Sequence, residues 1–254
     1  MHPVIFAIGP FQLHSYGLMM FVAFAAGLIL ASVRAKRAGI SPQVVMDLTV
    51  WLMIGGLAGA RLAYVLFHVD EFQGRWWDTI SPIQSDGTIG IAGLVVLGGV
   101  IAAIPTMWWF LRRRNIPFLK MADIMMPSLA LGIAIGRIGC LLNGCCFGQP
   151  TDLPWGIVFP HICYAGSVYP GLSIHPTQLY SVGYSAIIAV VLLLRTSHRR
   201  FEGELFYLFF VLYGIARFGV ETVRYYRPGM ILFHIDSFAV TVSMVVSLSM
   251  ITAK

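Results

Sequence analysis

Three arginines, Arg61, Arg137 and Arg217, stand inside long apolar runs. A guanidinium is always charged and grips a phosphate or carboxylate through two parallel hydrogen bonds. On an isolated helix facing lipid at the bilayer centre each would cost at least ~2.5 kcal/mol, so each must face a bundle interior or water. Carboxylates to neutralise them are scarce. Glu221 lies one turn beyond Arg217, and Asp236 opens the last apolar run. More guanidinium than carboxylate suits an anion, and the phosphate of a membrane lipid is the one at hand. The competing reading is structural, with Arg61 or Arg137 held by a carboxylate or a helix C-terminus. Tyr213, Arg217, Glu221 and Arg224 are spaced four, four and three, so a helix would carry them on one face. That polar stripe must point inward, as part of the anion site or as a helix–helix hydrogen-bond seam.

The elements that position these residues follow from composition. Of 254 residues, 58% are hydrophobic and only 11% charged, with mean hydropathy +0.80. Soluble domains carry roughly 25% charged residues, so the chain reads as an all-α polytopic membrane protein. Apolar runs predict about seven transmembrane helices, over 14–33, 44–67, 89–110, 121–141, 178–195, 204–224 and 234–252. Residues 142–177, rich in Gly, Pro and polar groups, read as a loop within one integral membrane domain spanning 1–254. Basic clusters at Arg34–Arg37, Arg112–Lys120 and Arg195–Arg200 mark cytoplasmic loops, whereas 68–88 is acidic. The N-terminus is then outside, the C-terminus cytoplasmic, and the 142–177 loop extracytoplasmic. At about 1.5 Å per residue, all three arginines fall in the outer half of the bilayer. The net charge of +6 comes from these topology clusters and not from a nucleic-acid footprint. The N-terminal stretch lacks the basic region of a cleavable signal peptide.

Four cysteines, Cys140, Cys145, Cys146 and Cys163, fall on the side where disulfides persist. A bridge from Cys163 to one of the other three ranks first. A metal site ranks lower, because C-x4-C-C-x16-C is not a familiar zinc spacing, and a redox pair would leave the arginines unexplained. Cys145 and Cys146, being adjacent, rarely bridge each other. Gly55 and Gly59 form a small-xxx-small pair for close helix packing, and Trp108 and Trp109 suit an interfacial belt.

Six pieces, in order, resemble the bacterial prolipoprotein diacylglyceryl transferase family: "HSYGLMMFVAF", "GGLAGARLAYVLF", "LGGVIAAI", "GRIGCLLNGCCFG", "SIHPTQLY" and "LYGIARFGVETVRYYRP". The resemblance runs over nearly the whole chain and implies an inner-membrane, multi-pass enzyme without cofactor or metal. It implies transfer of the diacylglyceryl group of phosphatidylglycerol to the lipobox cysteine of a preprolipoprotein signal peptide. A thioether forms and glycerol phosphate leaves. By the same resemblance Arg137 binds the headgroup, Arg217 and Tyr213 are the second arginine and its tyrosine, and Tyr16 is the first-span tyrosine. Asn143 and Gly144 of the signature are kept. Arg61, Glu221 and His175 complete the residues expected around the substrate. Two departures stand out. The family's His-Gly-Gly histidine is Leu97 here, and its signature Asn and Glu are Cys140 and Cys145. They favour, as alternative, a phospholipid-binding homologue with a changed acceptor or no activity. A small anion or lipid transporter is a third reading, weakened by the lack of an internal repeat.

Overall fold

A computed structural model describes residues 4–8, 11–74, 76–79, 95–226, 231–235 and 238–241. The described residues are mostly helical. A hairpin of β1 (Val4–Ile8) and β2 (Phe11–His14) precedes α1 (Ser15–Arg37), α2 (Pro42–Phe67), α3 (Val96–Arg113) and α4 (Phe118–Asn143). After α4 come β3 (Ile157–Val158), the short α5 (Tyr164–Val168), β4 (Ser173–Ile174), α6 (Thr177–Arg195) and α7 (Glu204–Glu221). Four helical stretches are long and apolar enough to cross a membrane: Ser15–Arg37, Pro42–Phe67, Phe118–Asn143 and Thr177–His198. This is the architecture of a helical membrane protein.

Six of the seven helices expected from the sequence overlap an observed one. The last requires correction, because residues where it was to begin form an antiparallel hairpin, β5 (Ile231–Ile235) with β6 (Phe238–Thr241). Val, Ile and Phe suit a half-buried strand as well as an apolar helix, so a short apolar run does not separate the two. Residues 242–254 lie outside the described residues, as do 80–94 at the start of the third expected span.

The chain divides into two compact units, Met1–Arg34 with Ala122–Lys254, and Ala35–Met121. In the first, α1 runs antiparallel along α4 over a seam of small residues. A Cβ added to Gly139 would stand 3.0 Å from the Met19 Cβ and 3.4 Å from the Tyr16 ring. Further along, one on Gly136 would meet the Met20 sulfur at 3.5 Å, and one on Gly132 the Ala23 carbonyl at 3.7 Å. Such backbone approach is what lets helices associate where lipid offers no hydrophobic driving force. Met126 and Ala130 of α4 then pack with Ile188, Ala189 and Leu192 of α6 and with Leu205 and Phe209 of α7.

One end of this unit is fixed by buried polar groups. Arg34 donates from Nε to the Ile124 carbonyl (3.0 Å) and from its two Nη atoms to the Asp123 carbonyl (3.1 Å) and Thr196 Oγ1 (2.8 Å). Asp123 is fully buried and accepts from the N–H groups of Gly203 (2.8 Å) and Phe206 (3.0 Å). A carboxylate from α4 thus caps the N-terminus of α7, where orphan donors and the helix dipole both favour a negative charge. The opposite ends of α4 and α7 carry the candidate site.

In the second unit α2 packs on α3 through glycines. Gly59 and Gly98 face each other so closely that a Cβ on either would lie 2.6 Å from the other's carbonyl oxygen, and one on Gly99 would lie 2.9 Å from that of Gly56. Gly55 meets the Thr106 side chain, so the Gly55/Gly59 pair serves helix packing as its spacing predicts. The Trp108 and Trp109 rings lie under the guanidiniums of Arg112 and Arg113, at 5.2 and 5.3 Å.

Replacing Asp123 by Ala leaves two helix N–H donors without their charged acceptor. Unfolding in detergent should show a loss of about 3 kcal/mol, with Asp123→Asn losing less because it keeps one acceptor oxygen. An unchanged unfolding midpoint in the alanine variant would disprove the capping role.

Candidate functional site

The end of α4 builds the site. The helix closes in a Schellman turn, with Gly144 N–H donating to the Leu141 carbonyl (3.1 Å) and Cys145 N–H to the Cys140 carbonyl (3.1 Å). The turn requires a left-handed residue after the last helical one, and Gly144 supplies it at φ +68°. It also faces the fourth cysteine, since a Cβ on Gly144 would lie 2.5 Å from Cys163 Sγ. In a Schellman turn the residues joined by the outer bond bring their side chains together. Here those residues are Cys140 and Cys145. Cys146 is also left-handed, at φ +60°, a conformation that costs a non-glycine residue roughly 1–2 kcal/mol. The backbone thus folds back, and the sulfurs of Cys140, Cys145 and Cys146 lie within 4.8 Å of one another.

The start of α6 holds this loop in place. Thr177 Oγ1 donates to the Cys146 carbonyl (2.7 Å) and the buried Gln178 Nε2 to the Cys145 carbonyl (2.8 Å). The following residues pair with the segment after α7. Gln149 N–H donates to the Val223 carbonyl (2.9 Å), Tyr225 N–H donates to the Phe147 carbonyl (3.1 Å), and the Phe147 and Tyr225 rings stack at 5.1 Å. Residues 142–177 carry a small core of their own in Phe147, Phe159, Cys163, Ala165 and Ile174.

That pairing brings Arg224 to the thiols. The polar stripe of α7 is turned inward as its spacing predicts, with Ile215 and Phe218 on the exposed side. Arg217 forms an ion pair with the fully buried Glu221 one turn on, and Arg224 approaches the same carboxylate oxygen at 3.5 Å. Arg137, from α4, makes no side-chain hydrogen bond or ion pair among the described residues, although Cys140, Cys146, Tyr184 and Tyr213 lie within its electrostatic reach. Arg224 lies within the field of both Arg137 and Arg217. Among the described residues, three guanidiniums therefore stand here against one carboxylate. The Cys146 thiol titrates below its ordinary range. Hydrogen bonds from the Cys140 and Cys145 thiols hold it down first and the charges of Arg224 and Arg137 second, against burial.

Of the residues singled out from the sequence, the fold brings together Arg137, Arg217, Tyr213, Glu221, Tyr16, Asn143 and Gly144. Tyr213 packs edge-on against Tyr184 at 5.8 Å. Tyr16, at the start of α1, lies within electrostatic reach of Arg137 and the three thiols. His175 lies in the α6 approach, where its Nδ1 is 3.2 Å from the Tyr180 hydroxyl and Trp155 Nε1 donates to that hydroxyl at 2.8 Å. Arg61 belongs to the other unit. It is buried there, donates from Nε to the Thr79 carbonyl (3.0 Å) and stacks over Phe72 and Tyr64 at 5.2 and 5.6 Å. The expected Cys163 disulfide is not formed. All four cysteines are free thiols, and Cys163 Sγ instead donates to the Pro160 carbonyl (3.1 Å). Sequence reasoning gave Arg224 only as a member of the stripe, and it missed Thr177 and Gln178. Their signal was present, as hydroxyl and amide groups in the first turn of a helix after proline.

Known proteins resemble this chain over most of its length. The model of the family described as prolipoprotein diacylglyceryl transferase matches residues 3–254. A phosphatidylglycerol–prolipoprotein diacylglyceryl transferase of Clostridium tetani is 31% identical over 224 residues, 88% of this chain and 86% of that one. Relatives of the same name from Finegoldia magna and Pseudoalteromonas atlantica are 34% and 35% identical, over 88% and 87% of this chain and 84% and 75% of theirs. With the signature arginine and the α7 stripe converging at one end of α4, and the match extending over nearly its full length, this chain belongs to the prolipoprotein diacylglyceryl transferase family.

Proposed function

We propose that this chain transfers the diacylglyceryl group of phosphatidylglycerol to the thiol of a lipobox cysteine in a preprolipoprotein signal peptide, in the bacterial inner membrane. The observation that carries the reading is Arg137. Among the described residues it is a guanidinium without a carboxylate partner, standing beside an Arg217–Glu221–Arg224 cluster that still has positive charge to spare. A lipid phosphate supplies the missing negative charge and accepts the bidentate bonds a guanidinium offers. In this reading the whole chain is one integral membrane domain with its N-terminus outside. The 142–177 loop and the arginine cluster lie on the extracytoplasmic side, where the acceptor peptide arrives.

In the transfer step the thiolate sulfur of the acceptor attacks the diacylglyceryl carbon that carries the phosphate. A C–S bond forms, the C–O bond to phosphate breaks, and the electron pair leaves on glycerol phosphate. Negative charge therefore concentrates on the phosphate as the bond breaks. Arg137 and Arg217 stand ready to stabilise it, and fixed donors of this kind are worth more in a water-poor site than in water. Tyr213 and Tyr16 flank the headgroup, and Asn143 and Gly144 set the turn that presents it. Glu221 has a balancing role: it keeps Arg217 and Arg224 from repelling one another while leaving the excess that attracts the lipid. His175, bonded to Tyr180, orders the approach from the 142–177 loop. The base that takes the acceptor proton is not the family's histidine, because position 97 is leucine.

Two experiments test this reading. Purified protein given phosphatidylglycerol and a lipobox peptide should yield a peptide whose cysteine has gained the mass of diacylglyceryl. Arg137→Ala should lower that turnover at least ~100-fold, whereas Leu97→Ala should stay close to wild type. Wild-type turnover in Arg137→Ala would sink the phosphate clamp, and a folded, lipid-binding protein that forms no adduct would be a phospholipid-binding homologue instead. The second experiment concerns Glu221→Gln, which leaves two half-buried guanidiniums without their buried carboxylate and should cost about 3 kcal/mol. Phosphatidylglycerol should raise the melting temperature of this variant more than that of the wild type. An equal rise in both would mean that the lipid does not meet the Arg217–Arg224 charge.

A further inference from the structure

The three thiols beside Arg137 have no part in the transfer just described, yet the backbone spends conformational strain at Cys146 to gather them. We propose that Cys140, Cys145 and Cys146 form a three-thiolate site for a soft monovalent cation of the Cu(I) class. The inference rests on this chain's own cysteines and holds whether or not the transfer reading does.

Geometry comes first. A trigonal site with metal–sulfur bonds of about 2.3 Å sets its sulfurs about 4 Å apart. The three Sγ atoms already lie within 4.8 Å of one another, so side-chain rotation alone closes the remaining gap. Their carbonyls are anchored, that of Cys140 by the Cys145 N–H and those of Cys145 and Cys146 by Gln178 and Thr177. The site is thus preformed, and a cation need not order a mobile loop to bind. Cys163 does not take part, because its sulfur is directed to the Pro160 carbonyl.

Charge decides the kind of cation. Three cysteines that bind a monovalent cation as thiolates leave a complex of charge −2. Arg217 and Glu221 cancel each other, which leaves Arg137 and Arg224, and both lie within the electrostatic reach of Cys146. Their two positive charges balance the complex. Thiolate ligands select soft metals, and hard cations such as Mg(II) prefer oxygen donors. A closed structural zinc site needs a fourth protein ligand, and only these three residues group among the described ones. Three sulfurs without a fourth ligand suit a three-coordinate monovalent ion. Once bound, the complex would use up the positive excess that holds a phosphate, so metal and anionic lipid would compete.

The test uses the full chain in detergent, without oxygen and with a phosphine reductant that carries no thiol. Cu(I) is offered in competition with a coloured chelator. The wild type should take one equivalent, and X-ray absorption at the copper edge should show three sulfur neighbours. Cys140→Ser, Cys145→Ser and Cys146→Ser should each lose about 100-fold or more in affinity, as expected when a ligand itself and not merely its outer support is removed. Cys163→Ser should bind like wild type. Three results would overturn the proposal: no stoichiometric uptake by the wild type, a two-sulfur or oxygen–nitrogen shell in the absorption spectrum, or Zn(II) held more tightly than Cu(I). The absorption measurement needs only the wild type, so it decides even if a serine variant does not fold.

Discussion

A buried charge in an apolar helix is tolerated only if something of opposite sign, or an ordered dipole, stands beside it. Glu221 meets that need for Arg217 and Arg224, but one carboxylate divided between two guanidiniums neutralises only one of them. Arg137 adds a third positive charge from another helix. The arrangement is unfavourable by itself. In the proposed function a phosphate would make it favourable, because the protein has already borne the desolvation cost of its guanidiniums and need not repeat it on binding. Much of the first unit is fitted to this imbalance. The glycine seam between α1 and α4 lets Tyr16 approach, the strand-like pairing of 147–149 with 223–225 brings Arg224 in, and the buried first turn of α6 fixes the loop between them.

The opposite end of the same helices shows what a settled buried charge looks like. Asp123 accepts two backbone N–H bonds at the start of α7, and Arg34 donates three bonds to oxygens. Every charge there has a fixed partner in the chain. About 21 Å along α4, at 1.5 Å per residue, Arg137 has none among the described residues. The two ends of α4 therefore separate stability from chemistry. The capped end anchors α7 so that its other end can carry like charges close together without the helix shifting.

How much of this was legible in the sequence depends on the range over which each signal acts. Arg137 and Arg217 were visible because a charge inside an apolar run is anomalous within a single span. The inward stripe of α7 was visible because its period is the helix's own. Gly55 and Gly59 were readable for the same reason. The Asp123 cap was not, since its partners lie about 80 residues away and nothing local marks an aspartate in α4 as another helix's cap. The gathering of three cysteines was not legible either, because a helix-terminating turn at Gly144 makes neighbours of residues five apart and a left-handed Cys146 adds the third. The hairpins at the two ends of the chain escaped because runs of Val, Ile and Phe satisfy strand and helix alike.

The segment around Leu97 separates two roles that one motif normally combines. Gly98 and Gly99 are retained and sit where α3 presses against α2, at a distance no side chain would allow. Those glycines answer to packing, and their loss would push the helices apart. Position 97 answers to nothing of the kind, because Leu97 is 51% exposed within its unit and its side chain can change without disturbing the seam. A histidine there would act only through its imidazole, as a base or a hydrogen-bond donor. Leucine keeps the helix and removes the proton chemistry. In a chain that performs the transfer, that chemistry must then come from another group. At the end of α4 the charges of Arg224 and Arg137 add to the thiol hydrogen bonds that hold Cys146 down, and such charges favour a thiolate over a thiol.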